Sequence, residues 1–280
     1  MAVTFSWNGY IDTDLDFSEF FNNEHTLVLR FMPQYPNAYE GPLVAENGSG
    51  TFVLGQGYFS NGPDKPGSTK LYLAVAEQSE AYAVGLTAGK WYHLALVVKN
   101  SGNQRIFTLY LDGVKAGTSL SVAASSSKMP KGKLRFGKRT SGKTVKGRNT
   151  QFYGILDDVA IFTKAFSLPE VLNLRDEVLQ LTGKESGLLA GYTFATLTLA
   201  PKLKRPITFH GAAERVSTSA NRNSAADAAK LPLPTQHQPM DLPFPPGEEW
   251  YVIQSVDNAL GSHQSYAACR HYGAEAGSDW

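Results

Sequence analysis

Carboxylates are the side chains of this sequence whose spacing most suggests chemistry. Asp12, Asp14 and Asp16 alternate, so on a strand they share one face, but the glycine and terminal glutamate of an EF-hand loop are missing. Asp157 and Asp158 are adjacent, and on a strand they point to opposite faces, which excludes the paired acid and base of a glycoside hydrolase. No glutamate begins a Glu-x-Asp-x-x-Glu pattern either. The carboxylates therefore predict charge pairing, capping or ion binding rather than catalysis.

The segment from Gly137 to Thr144 (GKRTSGKT) fits the phosphate-binding pattern G-x-x-x-x-G-K-[ST]. Such a loop binds phosphate only between a strand and a helix, because its amides and the helix N-terminus must face the ligand. Residues 145–150 (VKGRNT) are a poor helix start, and the alternating strands and helices of nucleotide-binding folds are missing. The motif predicts a Gly-rich basic loop between two strands, and no nucleotide cofactor is expected.

This loop lies in a strongly basic block. Residues 128–148 hold nine lysines and arginines and no acidic residue, in a chain whose formal net charge is +1. One interpretation is a surface for a polyanion such as a glycan, a teichoic acid or a nucleic acid, contacted by Lys138, Arg139 and Lys143. The other is an exposed strand and loop whose charges protect a sheet edge. Nucleic acid fits least, since no recognition helix or interleaved aromatic residues accompany the charge.

The elements that must position these residues are mostly strands. Residues 70–76 alternate apolar and other side chains, residues 91–99 and 151–162 are long apolar runs, and residues 26–32 are rich in β-formers. The pair Asp112-Gly113 between two such runs predicts a hairpin whose two turn residues have positive φ. The pattern predicts an all-β fold, a two-sheet antiparallel β-sandwich.

One short helix is predicted near residues 168–181. Ser167 and Glu170 form a capping box at its start. Apolar residues then recur at spacings of three and four, namely Val171, Leu174, Val178 and Leu181. We expect this stripe to pack the helix on the sandwich, and a groove for a partner is the alternative.

Composition and the positions of the prolines divide the chain into three parts. With 42% hydrophobic and 18% charged residues, the 280-residue chain has enough apolar content for a core and too little charge for disorder. We predict a sandwich over residues 1–217, a Pro-rich linker over 218–247, and a tail over 248–280 too short for its own core. The sequence has no run of roughly 20 apolar residues for a membrane span. Residues 1–7 have no signal-peptide pattern, and one cysteine excludes an internal disulfide.

Four segments in order resemble the laminin-G-like jelly rolls of the concanavalin A-like lectin/glucanase group. They are KWYHLALV (90–97), LYLDG (109–113), FYGILDDVAIF (152–162) and AFSLPEV (165–171). The resemblance extends over about residues 1–200 and implies a jelly roll of two antiparallel sheets packed face to face. It also implies an extracellular or cell-surface location. A structural Ca²⁺ ion held in part by Asp158 is a further expectation, with turn capping or solvated charge as the alternative for this residue.

The tail resembles the start of a lysostaphin/LytM-type zinc metallopeptidase domain, through GEEWYVIQ (247–254) and Gly261-Ser262-His263. In that family the matching histidine is a zinc ligand, followed by an aspartate and later by a His-x-His. Neither follows here, and one ligand cannot hold a zinc ion that needs three protein ligands. His263 is interpreted as a vestigial zinc ligand, and the tail as a truncated start of such a domain.

Without catalytic carboxylates or a complete zinc site, the sequence favours a non-catalytic module that binds a glycan or a cell-surface polymer. Aromatic residues in polar, Gly- and Pro-rich loops suit sugar contacts best, namely Tyr35, Tyr39, Tyr58 and Phe59. His93 and Trp91 lie in an apolar run and are predicted to be satisfied core or sheet-face residues. Two alternatives stay open: the targeting module of a cell-wall zinc metallopeptidase, and a structural or adhesive interaction domain.

Overall fold

The computed structural model describes residues 1–6, 8–35, 41–57, 70–139, 151–176, 181–194, 202, 205–218, 224–231, 250–252 and 269–271. Two large antiparallel sheets pack face to face around one core, which confirms the predicted β-sandwich. The strands of the nine-stranded sheet are β1 (Ala2–Phe5), β3 (His25–Pro33), β8 (Tyr92–Ser101), β9 (Gln104–Leu111), β10 (Val114–Lys115), β11 (Leu120–Ala123), β13 (Gly154–Phe162), β14 (Leu188–Tyr192) and β16 (Ala213–Val216). The strands of the seven-stranded sheet are β2 (Tyr10–Asp16), β4 (Gly41–Glu46), β5 (Phe52–Gln56), β6 (Lys70–Val75), β7 (Gln78–Ala83), β12 (Lys133–Phe136) and β15 (Ile207–His210).

The strand order places β13 and β2 inside their sheets. The first sheet runs β10-β9-β8-β3-β13-β1-β16, with β11 also pairing with β9 and β14 with β13. The second runs β15-β2-β12-β4-β5-β6-β7. Along β2 the buried residues Ile11 and Leu15 alternate with the aspartates, so the three carboxylates share one face, as predicted, and that face is the outer one. The core between the sheets is rich in phenylalanine, with Phe17 in contact with Phe20, Phe21 and Phe52.

The outer face of the nine-stranded sheet is covered by a helix, α1 (Leu168–Asp176). Val171 is fully buried against an apolar patch that includes Val28 and Ala95, and Leu174 and Leu181 pack on the same patch, as predicted. The described helix ends at Asp176, and Val178 of the predicted stripe lies outside the described residues. At the start of α1 the Glu170 carboxylate accepts a hydrogen bond from the Ser167 amide at 2.7 Å, as the capping box predicts.

Two turns fix how strands meet. Asp112 and Gly113 have φ values of 50° and 78°, so both turn residues of the β9–β10 hairpin adopt the predicted positive φ. The other turn, at Gly211, leads from β15 in one sheet to β16 in the other. A Cβ atom at Gly211, whose φ is 57°, would lie 2.1 Å from the Asn8 carbonyl oxygen, so only glycine fits this close approach.

The segment predicted as a linker contains ordered contacts with the sandwich. A short helix, α2 (Ser224–Ala228), brings the fully buried Asp227 to Trp91, whose Nε1 donates a hydrogen bond to the carboxylate at 2.9 Å. Ala228 and Leu231 pack with Trp91 on an apolar patch of the nine-stranded sheet. The six prolines that predict an extended linker all lie beyond residue 231, and the Ala- and Ser-rich stretch before them has the composition of a short helix.

The tail contributes a third, two-stranded sheet. Its strands β17 (Trp250–Val252) and β18 (Cys269–His271) pair antiparallel. His263 lies outside the described residues, so its interpretation as a vestigial zinc ligand stays a prediction.

Candidate functional site

Four loop-bearing segments meet at one end of the sandwich, which we call the loop end. The Gln34 amide donates to the Tyr153 carbonyl at 3.0 Å, and the Gln56 side chain donates to the Tyr35 carbonyl at 3.2 Å. The amide of Phe152 donates to the carbonyl of Gly137 at 2.8 Å. These bonds hold together the chain after β3, the end of β5, the end of β12 and the start of β13. The loop end is therefore built by residues far apart in sequence.

The structure brings three predicted binding residues to this end. The Tyr35 ring packs edge-on against Tyr153 with centroids 5.8 Å apart. Lys138 and Arg139 follow β12 after Gly137, and the backbone of Lys138 forms an isolated antiparallel β-bridge with Gln151. The remaining predicted binding residues, Tyr39, Tyr58, Phe59 and Lys143, lie outside the described residues.

The acidic stripe of β2 and the basic block are partners of each other. Strand β12 pairs with β2, so Lys133 lies opposite Asp16 and Arg135 lies opposite Asp12. The Arg135 guanidinium donates to both Asp12 oxygens, at 2.7 and 2.9 Å. Cross-strand charge pairs of this kind stabilise a sheet. The middle of the basic block is thus neutralised within the fold.

The other two aspartates of β2 are also engaged. Asp16 caps a 3₁₀ turn (Phe17–Glu19) by accepting from the Ser18 amide at 2.8 Å. An Asp14 oxygen lies 3.9 Å from the Arg205 guanidinium. The three carboxylates share one face, but each serves a different structural contact.

An aromatic and charged cluster surrounds Asp12 on the outer face of the seven-stranded sheet; we call Tyr10, Asp12, Arg135 and His210 the sheet-face cluster. The Tyr10 and His210 rings stack with centroids 4.3 Å apart and planes 10° apart, and the Arg135 guanidinium lies 4.3 Å from the Tyr10 centroid. Because β15 and β12 flank β2, His210 and Arg135 occupy opposite sides of Tyr10. His210 Nε2 is also 3.2 Å from Asp12. The cluster leads towards the loop end, where the Lys138 ammonium lies 5.7 Å from the Tyr10 ring.

Electrostatics fix the charge states around the cluster. Burial alone would raise the pKa of Asp12, but the hydrogen bonds and charge of Arg135, with Asn47 and His210, hold the pKa below its usual value. Burial raises the pKa of the nearby Glu46 carboxyl, although the Phe52 amide and the charge of Arg139 act in the opposite direction. The environment of Asp12 therefore favours its ionised carboxylate, whereas burial disfavours the charged form of Glu46.

Asp157 and Asp158 do not point to opposite faces, which corrects the prediction. A β-bulge in β13 gives Asp158 a φ of 49°, and the residues on either side of the pair, Leu156 and Val159, both pack in the core. Both aspartates therefore lie on the outer side of the strand, where Arg30 pairs with Asp157 in register and its Nε lies 3.5 Å from Asp158. The pair belongs to a buried charge cluster rather than to an open cleft.

This geometry gives Asp158 a structural contact with Arg30. In the described part of the chain, no three histidine, cysteine, aspartate or glutamate side chains converge as metal ligands. Calcium binding by the chain stays a prediction. None of the helices in the described ranges is long and apolar enough to cross a membrane.

His93 lies on the outer face of the nine-stranded sheet, as predicted, but its side chain is not satisfied. The residue is only 2% exposed, and neither ring nitrogen has a hydrogen-bond partner. Burial, together with the positive charges of Arg30 and Arg175, lowers the pKa of His93 to about 3. The imidazole is therefore neutral in the folded protein.

Sequence reasoning missed the sheet-face cluster because its members come from three strands. Tyr10 and Asp12 lie on β2, Arg135 on β12 and His210 on β15, almost two hundred residues from the first two. One signal was present: the aspartates and the basic residues both alternate, at Asp12, Asp14 and Asp16 and at Lys131, Lys133 and Arg135. Two strands with complementary alternating charges are expected to pair.

Comparisons with known proteins agree with this architecture. The chain resembles the heptameric SAP-like pentraxin of Limulus polyphemus, with 15% identity, a TM-score of 0.53, and coverage of 76% of this chain and 93% of the pentraxin. It also resembles a Bacteroides ovatus protein described as a candidate carbohydrate-binding protein, with 18% identity, a TM-score of 0.54 and coverage of 75% of this chain. The chain spans 59% of the length of that second protein. Among curated proteins, the comparison finds no match.

The match to a family model decides the assignment. Residues 6–172, more than half of the chain, match the model of the concanavalin A-like lectin/glucanases superfamily. The matched part includes the β-sandwich strands from β2 to β13 and the start of α1, in agreement with the two-sheet fold. The chain belongs to the concanavalin A-like lectin/glucanase superfamily.

Proposed function

We propose that this protein is a non-catalytic carbohydrate-binding module whose ligand contacts the loop end of the sandwich. The observation that carries the proposal is the convergence there of the Tyr35–Tyr153 pair with Lys138 and Arg139. The superfamily contains lectins, and the similar Bacteroides ovatus protein is described as a candidate carbohydrate-binding protein. Both support the proposal by analogy, because fold alone does not establish function.

The chemistry of the loop end suits a sugar. Carbohydrate sites combine aromatic rings with a few hydrogen-bonding groups, because sugars present apolar C–H faces and polar hydroxyl edges. Tyr35 and Tyr153 are both half-buried, so backbone contacts fix them while part of each side chain stays accessible. The polar groups of Asn8 and Gln151 lie near Lys138. Binding through such a site needs no catalytic residue.

A polysaccharide and glycan array tests the proposal directly. We expect binding to at least one glycan class by the intact chain, and Tyr35→Ala should reduce the affinity of that binding at least about tenfold. The matched control is Tyr110→Ala. Tyr110 is also half-buried, but it lies on the outer face of the nine-stranded sheet, beside α1. Equal losses in the two variants, or no glycan bound by the intact chain, would contradict the proposal.

Calcium and location complete the proposal. A structural calcium ion would raise the melting temperature by binding only the folded state. A melting temperature that falls when a chelator is added would support calcium binding, and an unchanged melting temperature would contradict it. We place the module outside the cytoplasm, where glycan ligands are accessible, and secretion of the native protein would be the check.

A further inference from the structure

The two ends of the basic block differ in how much of each side chain is buried. Lys128 and Lys131 lie exposed at the turn before β12, far from the loop end, where their backbone groups bond to Thr51 and Ser49. Lys138 and Arg139 are half-buried at the loop end. All four are cations in one short segment, so the difference between the two ends is one of environment.

Lys138 and Arg139 have no carboxylate partner among the described residues. The Lys138 ammonium donates to the neutral side-chain oxygen of Asn8 at 3.1 Å. The Nε atom of Arg139 is buried without a hydrogen-bond partner. Burial raises the pKa of the Glu46 carboxyl, and the positive charge of Arg139 opposes that rise. Two consecutive cations at the loop end thus have no neutralising carboxylate at close range among the described residues.

Such groups favour an anion more than exposed lysines do. A partly desolvated cation interacts more strongly with an opposite charge, because the effective dielectric constant around it is lower than in water. A hydrogen bond between a charged donor and a carboxylate or sulfate oxygen adds a further gain. Lys128 and Lys131 are exposed to solvent, and the same anion would gain little from them.

The neighbouring sheet-face cluster favours charge recognition over ring stacking. His210 and Arg135 already occupy the two sides of Tyr10, so neither face of this ring is open to a sugar. The Tyr10 ring instead lies beside the Lys138 ammonium, 5.7 Å from its nitrogen. His210, which stacks on Tyr10, lies outside residues 6–172 of the family match.

We propose that Lys138 and Arg139 form an anion subsite, beside the Tyr10 ring, for a carboxylate or sulfate group of an acidic polysaccharide. The subsite deepens the proposed function and rests on it. It specifies an acidic ligand and locates its charged group on the side of the loop end that faces the seven-stranded sheet.

The test compares charged and neutral polymers against two double variants of the intact chain. Polygalacturonate and its methyl ester share a backbone but differ in charge, dextran sulfate and dextran do the same for sulfate, and single-stranded DNA supplies phosphate. We expect the chain to prefer the acid to its ester, or dextran sulfate to dextran. K138Q/R139Q should reduce this binding at least about tenfold, and K128Q/K131Q, which removes the same charge, less than about twofold.

Each outcome decides the inference. The carboxylate and sulfate arms show which anion the subsite takes, and a preference for either supports the proposal. Equal losses in both double variants would overturn it in favour of a diffuse field, and so would binding of DNA as tight as that of the acidic polymers. Binding of neutral glycans that K138Q/R139Q leaves unchanged would overturn the subsite while the proposed function stands. No binding to any glycan would instead contradict the proposed function itself.

Discussion

The outer faces of the two sheets both carry polar side chains, but these side chains are buried on one sheet and partly exposed on the other. On the nine-stranded sheet, α1 and α2 cover the surface, and Asp157, Asp158 and His93 are buried beneath or beside them. On the seven-stranded sheet, the His210 side chain keeps 35% of its surface exposed and Asp12 keeps 23%. Buried polar groups that a ligand cannot reach act on stability, whereas partly exposed ones that the fold positions are available for binding. Substitutions should therefore separate stability from binding according to the sheet they alter.

The largest effect is expected from Trp91→Ala on the covered face. The substitution removes a buried aromatic side chain and leaves the Asp227 carboxylate without the indole donor. We expect a loss of about 3–5 kcal/mol in the free energy of unfolding, measured by urea denaturation. Glycan affinity of the variant should equal that of the parent below its melting temperature. A loss below about 1 kcal/mol would show that α2 does not rest on Trp91 in solution.

The next effect is acid destabilisation through His93. The pKa of His93 is about 3 in the folded protein, against a value of 6.5 for the unperturbed side chain that represents the unfolded chain. As the pH falls, the unfolded state therefore binds a proton before the folded state does. Stability is present at neutral pH and is lost as the pH falls below 6.5, by about 2 kcal/mol at about pH 5. His93→Leu should remove this share of the loss.

A second buried histidine provides the internal comparison for that measurement. Burial lowers the pKa of His25 to about 4. The His93→Leu variant should therefore still lose stability in acid through His25, but less than the parent, which loses it through both histidines. Urea denaturation of parent and variant at neutral and mildly acidic pH gives both slopes. Identical slopes would contradict the assignment of a neutral, unpartnered His93.

A smaller effect is expected from Asp12→Asn on the partly exposed face. The amide cannot accept both hydrogen bonds from Arg135 with the same strength, and Arg135, whose side chain is only 12% exposed, loses its counter-charge. We expect a loss of about 1 kcal/mol in the free energy of unfolding. A double-mutant cycle with Arg135→Gln should show coupling, since the two side chains act as one unit. Additive losses would contradict the pairing.

The smallest effect should come from the exposed end of the basic block. K128Q/K131Q removes two solvated charges that have no ion pair within the described residues, so the free energy of unfolding should change by less than about 0.5 kcal/mol. Thermal melts of this variant and of K138Q/R139Q provide the check. A large loss in K128Q/K131Q would show that its lysines have structural partners.

Much of the fold could be predicted because the local pattern and the final contacts agree. The alternation in β6, the Asp112-Gly113 turn and the Ser167–Glu170 capping box each depend on neighbours in sequence. The bulge at Asp158 could not be predicted, because it depends on how β13 pairs with β3, and one extra residue changes the face of each side chain. The same reason applies to α2, whose docking depends on an apolar patch around Trp91.

The candidate site was predicted in part. Tyr35, Lys138 and Arg139 were chosen from composition and charge, and the fold brings them to one end. Their relation to Tyr10 and His210 depends on the order of β15, β2 and β12 in the sheet, which no local pattern encodes. Strand order results from long-range pairing, so a site built across strands becomes visible only in the folded chain.

Hydrogen–deuterium exchange with and without a polysaccharide that binds in the array tests the central claim most directly. The account predicts slower exchange on binding at the loop end, in peptides containing Tyr35, Lys138 and Gln151. Peptides containing Ser49 and Lys131, at the opposite end of the same sheet, should be unchanged. Protection confined to the opposite end or to the covered face near α1 would contradict the claim that the loop end binds carbohydrate.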